Sequence, residues 1–127
     1  MIQENIIKTA KILYDCRINL KRIDNLPSNL IPQSKDEAYK IQDELAKLYI
    51  KGNSNTKLIG MKIGCTNKAA QDQINVKEPF YGNLFSNYSS SSNCSLSSKS
   101  FFKPFVEPEF SFKIGKELDL TNAPYSS

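Results

Sequence analysis

The chain has no histidine and no tryptophan among its 127 residues. Without histidine, neither a Ser-His-Asp nor a Cys-His catalytic arrangement can be assembled from these residues, and no zinc can be held by imidazole. Lysine, carboxylate, tyrosine, thiol and hard metals bound through oxygen remain as chemistry. Long apolar runs are also missing, and nothing approaches the roughly 20 residues that span a bilayer as a helix. The opening MIQENIIKTAK lacks an uninterrupted apolar core and a small-residue cleavage site, so no signal peptide is read. Glu4 and Asp15 argue against an acid-poor mitochondrial presequence. Cysteine is scarce: Cys16, Cys65 and Cys94 match no zinc or redox spacing and read as reduced thiols of a cytoplasmic protein. The Asn-x-Ser triplets at Asn87 and Asn93 lie in a serine-rich tract where chance produces them.

A net charge of +4 raises nucleic acid as a partner. The lysines are, however, interleaved with acids, as in KDEAYKIQDELAK, and no basic stripe alternates with stacking aromatics. Neither a nucleic acid nor a membrane is therefore expected.

Residues 3–20 place Ile6, Ile7, Ala10, Leu13 and Leu20 on a helical stripe. Residues 25–34 are a Pro/Asn/Ser connector. Ser34 and Glu37 form a capping box for a second helix over 34–51, whose apolar face is Ala38, Ile41, Leu45 and Leu48 and whose stop is Gly52. Residues 57–64 then alternate as a strand. Ile59, Met61 and Ile63 should pack on a core, while Gly60, Lys62 and Gly64 form a face cleared of bulk around one lysine. Asn67 can cap a short helix over 68–74, and EPFYGNLF (78–85) reads as a turn entering a strand. Residues 86–100 hold nine serines and should loop out.

FVEPEFSFKIG (105–115) alternates with period two, giving an expected strand over 105–114 in the same sheet as 57–64. On such a strand Glu107 and Glu109 share a face, with Cα atoms about 6.5–7 Å apart. Their carboxylates could meet on one hard cation. Pro108 between them suits an edge or a bulge. On spacing alone, a solvated edge lysine and a solvent-facing acidic edge are the simpler readings. The organisation expected is one domain over 1–127, helical over 1–52 and strand-rich over 57–127, with the loop at 86–100.

The ordered set GMKIGCTNKAAQDQINVKEPFYGNLF and VEPEFSFKIGKEL resembles the 2-keto-4-pentenoate hydratase (2-hydroxypentadienoate hydratase) family of the fumarylacetoacetate hydrolase superfamily. The matching positions are Gly60, Lys62, Gly64, Thr66, Gln71, Pro79, Tyr81, Gly82, Leu84, Glu107 and Glu109. DEAYKIQDEL is similar to the family's second-helix phrase. The resemblance implies an α+β fold, N-terminal helices on a mixed β-sheet or barrel of the fumarylacetoacetate hydrolase type, incomplete in this chain. It implies a metal-dependent hydro-lyase acting on a small 2-keto-enoic acid such as 2-hydroxypenta-2,4-dienoate. In that reading Lys62 is catalytic, Gly60, Gly64, Thr66, Gly82 and Leu84 line the substrate, and Glu107 and Glu109 bind Mg²⁺ or Mn²⁺.

Three departures qualify the resemblance. Phe80 stands where hydratases usually have an aspartate with a role in proton transfer. Phe105 stands where the family often has Arg or Lys. Family members are about twice this length, so the chain reads as an N-terminal half lacking the third carboxylate ligand and inactive in isolation. The alternatives are a C–C bond hydrolase or decarboxylase of the same superfamily, or an inactive half-domain that associates with a paralogue. The partner expected besides substrate is a second copy or a complementing C-terminal half. The superfamily's hydrolases activate water with a histidine, which this sequence lacks.

Overall fold

The structure is a computed structural model and describes residues 1–119, 121 and 123. Helix α1 spans Gln3–Ile18 and α2 spans Lys35–Gly52. Strand β1 (Leu58–Gly64), helix α3 (Lys68–Gln73) and strand β2 (Phe80–Phe85) follow, with short 3-10 turns at 28–30, 86–88 and 98–100. This is an α+β arrangement.

Helix α1 stops two residues before the expected Leu20, because Leu20 adopts φ 49° and leaves the stripe for the surface. Helix α2 starts as expected: the Ser34 hydroxyl accepts from the Glu37 backbone N–H at 3.2 Å, and the Glu37 carboxylate accepts from the Gln33 N–H at 2.7 Å. Gly52 is the last residue of the helix, as expected. It has no positive φ, and a Cβ there would run into the Tyr14 hydroxyl.

The two helices run in the same direction. The amino group of Met1 meets Glu37 at the start of α2, and Tyr14 lies against Gly52 at its end. A 16-residue helix is about 24 Å long, so the connector must retrace that length before α2 begins. It does so along α1, where Thr9 Oγ1 donates to the carbonyls of Asn5 at 2.8 Å and of Leu30 at 3.2 Å. Ile6, Ala10 and Ile41 form the buried centre, with Met1, Leu13, Leu45 and Leu48 packed against it.

Strands β1 and β2 pair antiparallel, setting Gly60 opposite Leu84, Lys62 opposite Gly82 and Gly64 opposite Phe80. The register shifts between Leu58 and Gly60. Helix α2 reaches this sheet through Tyr39, stacked on Tyr81 with centroids 4.5 Å apart, and through Tyr49, whose ring is 5.1 Å from that of Phe85.

Two expectations fail. Ile59, Met61 and Ile63 pack on no core: they are 54%, 61% and 61% exposed, and the half-buried positions are those of Gly60, Lys62 and Gly64. Residues 105–114 form no strand, and the sheet among the described residues is two-stranded and antiparallel rather than mixed. Alternation alone does not make a strand; a ladder partner is required, and Pro104 and Pro108 remove two of the donors that could recruit one. Residues 86–100 loop out as expected, with only the two 3-10 turns.

Candidate functional site

Lys62 is central in β1, and its neighbour across the ladder, Gly82, has no side chain to block it. On one flank a Cβ at Gly60 would meet Leu84 at 3.8 Å. On the other a Cβ at Gly64 would lie 2.9 Å from Cε2 of Phe80. The glycines thus clear space, but Phe80 occupies what Gly64 vacates, and a narrow lane over Gly82 remains for Lys62. Gln42 of α2 approaches this lane, its Oε1 lying 3.8 Å from a Cβ placed on Gly82.

Lys62 Nζ lies 2.7 Å from Oε2 of Glu107 and 2.8 Å from Oε1 of Glu109. The three expected chemical residues therefore meet, although the segment carrying the glutamates is not a strand. No ladder is needed for this, since both carboxylates reach the same nitrogen from a segment outside any helix or strand. The hydrogen bonds to Glu107 and then Glu109 raise the Lys62 pKa above its ordinary value of 10.5, against a small opposing effect of burial. The two carboxylates thus favour the protonated form of Lys62 in this arrangement. All three groups remain open to water, with side-chain exposures of 42%, 61% and 47%.

Thr66 is exposed in the loop between β1 and α3, two residues past the strand end. Cys65 before it has φ 55°, and its carbonyl accepts from Gln71 Nε2 at 2.9 Å. Asn67 caps α3 as the sequence suggested, accepting from the Ala70 N–H at 2.9 Å. Two motifs separated in sequence also meet: the Tyr81 N–H donates to the Tyr39 hydroxyl at 3.4 Å beneath the ring stack. Sequence reasoning did not join these two phrases; the signal was a tyrosine in each.

The fit of a metal can be judged from the donors. Two carboxylates converge on one cationic centre, here an ammonium, and carboxylate oxygens are the ligand type that Mg²⁺ and Mn²⁺ take. The pair fits as two ligands of such a site. Among the described residues there is no group of three or more His, Cys, Asp or Glu that could hold a metal. A groove of about 370 Å³ adjoins the lane, lined by Gln42, Gly82 and Leu84 together with Arg17, Tyr49 and Tyr88, and a second of about 510 Å³, lined by residues including Arg22 and Phe102, lies apart from it.

No family model matches the chain. Its fold is that of a solved structure, 4-oxalocrotonate decarboxylase from Pseudomonas putida G7 complexed with calcium and acetate, with a TM-score of 0.61, 23% identity, and coverage of 69% of this chain and 33% of that one. In fold, then, it is an α+β unit of the kind found in that enzyme. By sequence it is a relative of the 2-keto-4-pentenoate hydratases. It is 33% identical over 113 residues to the TodF product hydratase of Pseudomonas putida, covering 88% of this chain and 41% of the relative. It is 30% identical to 2-keto-4-pentenoate hydratase of Paraburkholderia xenovorans with the same coverage. It is 31% identical over 121 residues to 2-hydroxyhexa-2,4-dienoate hydratase of Comamonas testosteroni, covering 93% of this chain and 45% of that one. The chain thus spans less than half the length of these curated relatives. No helix among the described residues is long and apolar enough to cross a membrane.

Proposed function

We propose that this chain carries the lysine and two carboxylate ligands of a metal-dependent hydro-lyase that adds water to a small 2-keto-enoic acid, 2-hydroxypenta-2,4-dienoate being the model substrate. The observation that carries this reading is the convergence of Glu107 and Glu109 on Lys62, at 2.8 Å or less. The names of the sequence relatives, all hydratases, support the reaction class. The full fold, in this reading, is the mixed sheet of the fumarylacetoacetate hydrolase type.

Glu107 and Glu109 hold the cation, Mg²⁺ or Mn²⁺; the calcium complexed by the solved decarboxylase supports a divalent ion. When bound, such an ion polarises the 2-oxo group as a Lewis acid. Lys62, as an ammonium, supplies a positive charge where the substrate becomes enolate-like, which lowers the barrier electrostatically. The lane over Gly82, flanked by Gly60 and Leu84, admits the flat dienoate, and Thr66 and Gly64 bound it at the strand end. Phe80 places an aromatic ring, without any titratable group, against Gly64. That observation favours a second reading, a decarboxylase of the same superfamily, in which no protonating group is needed at this position.

With two carboxylates and a water-exposed lysine, the 127 residues alone are expected to show no hydration. The test is co-expression with a segment resembling the rest of the relatives' length, followed by assays with 2-hydroxypenta-2,4-dienoate and with 4-oxalocrotonate in Mg²⁺ and in Mn²⁺. Turnover of the dienoate that disappears in Lys62→Ala and in Glu107→Gln supports hydration. Turnover indifferent to both substitutions overturns the site, and release of CO₂ from oxalocrotonate alone selects the decarboxylase.

A further inference from the structure

We propose that the Lys62 ammonium is the resident cation of the Glu107–Glu109 pair, and that a divalent ion reaches these carboxylates only by displacing it. The inference rests on the reading of the two glutamates as metal ligands and adds an order of events to it.

The geometry sets up the competition. One nitrogen lies within 2.8 Å of an oxygen from each carboxylate, so it occupies the region on which both converge. A hard dication would sit about 2.0–2.2 Å from the same kind of oxygen. Ammonium and dication held together there would be like charges a few ångströms apart, which repel strongly even at a partly exposed site. One must leave.

Leaving is easy for the lysine. All three partners are exposed, and ion pairs of this kind are individually weak. The side chain is anchored only at its β1 end, and Gly82 across the ladder offers no side chain of its own, the nearest neighbour there being the amide end of Gln42. The glutamates lie on a segment that belongs to no strand, so they can readjust their spacing around a smaller ion. The same exchange frees Lys62 for an anion at the moment the metal arrives. Before that moment the lysine is neutralised by its own site and attracts no carboxylate.

Two measurements test this. Titration calorimetry with Mn²⁺, on the chain co-expressed with the complementing segment, compares the unsubstituted protein with Lys62→Met, Glu107→Gln and Glu109→Gln. Removing the resident cation should tighten Mn²⁺ by roughly five- to tenfold, the factor expected from deleting two exposed ion pairs. The glutamine variants should weaken it. The second measurement needs no variant: acetylation of Lys62 by an activated ester, followed by mass spectrometry, should accelerate on adding Mg²⁺ while Lys57 and Lys68 serve as internal references. Unchanged or weaker affinity in Lys62→Met, with Lys62 acetylation indifferent to Mg²⁺, overturns the displacement while leaving the glutamates as ligands. Affinity unchanged in both glutamine variants overturns the ligand reading itself. Absence of binding by every form overturns both.

Discussion

Gly64 and Phe80 stand opposite each other in the β1–β2 ladder, and the ring of Phe80 lies where a side chain on Gly64 would be. The glycine is required by its neighbour, since backbone φ at Gly64 is not positive. Gly64→Ala would place a Cβ 2.9 Å from one ring carbon and 3.1 Å from another. The Phe80 ring, 41% exposed, must move aside, so the cost is at the low end for overpacking, about 1 kcal/mol. The check is a urea melt of Gly64→Ala, Phe80→Ala and the double variant: the alanine at 64 should be harmful with Phe80 present and nearly neutral without it. Gly60→Ala, with its nearest neighbour at 3.8 Å, should cost less.

That pairing shows where the sequence was legible and where it was not. Helices announce themselves locally: the Ser34–Glu37 box and the Asn67 cap are formed by residues three apart, so both helix starts could be read directly. That Lys62 goes with Glu107 and Glu109 came from the resemblance carried by the ordered motifs, while parity accounted only for the two glutamates sharing a side. What parity could not say is which face of β1 would be covered. That depends on where α2 lies, and α2 meets the sheet through Tyr39 and Tyr49 while Ile59, Met61 and Ile63 stay open. The strand expected at 105–114 failed for a related reason, since a ladder is a property of two segments.

Tyr49 gives the pH prediction. Desolvation raises its phenol pKa above 10.0, assisted by Tyr88 and opposed by Arg17. A group whose folded-state pKa is raised binds its proton more tightly in the native state. Its contribution is fully present below the unfolded value near 10 and is lost as pH rises through the folded one. The native protein should therefore lose stability in alkaline solution from about pH 10 upward, and Tyr49→Phe should flatten that part of the curve. Phenolate absorbance of the native protein should rise at higher pH than in the urea-unfolded chain, and the difference should shrink in Tyr49→Phe. If Tyr49→Phe leaves the alkaline slope intact, another group causes it.

Thr56 precedes β1 by two residues and is 2% exposed, with its Oγ1 buried and without a hydrogen-bond partner among the described residues. A buried hydroxyl that bonds to nothing forfeits its hydration, a penalty of about 1–3 kcal/mol. Valine has nearly the same shape and no such group. Thr56→Val should leave the fold unchanged and raise the thermal midpoint, whereas Thr56→Ala should lower it by leaving a small void. A drop in stability for the valine variant would mean that the hydroxyl has a partner after all.

The last prediction concerns the apolar side chains left uncovered beside the acidic pair. Phe105, Val106, Phe110 and Phe112 are 88%, 90%, 96% and 85% exposed on an extended segment. Ile59, Met61 and Ile63 add a second open apolar row on β1. A segment that forms no ladder and alternates large apolar residues can serve as a template for pairing with another chain. Contiguous exposed apolar area of this kind also promotes association in its own right. The purified 127-residue chain should therefore self-associate with rising concentration, seen as a mass increase in light scattering. Phe110→Lys should suppress it, because it replaces the most exposed of these rings with a charge, while Ser111→Lys adds the same charge and leaves the rings in place. Equal suppression by the two lysines would assign the association to net charge, and a monomer at all concentrations would show that these side chains are covered in solution by the chain itself.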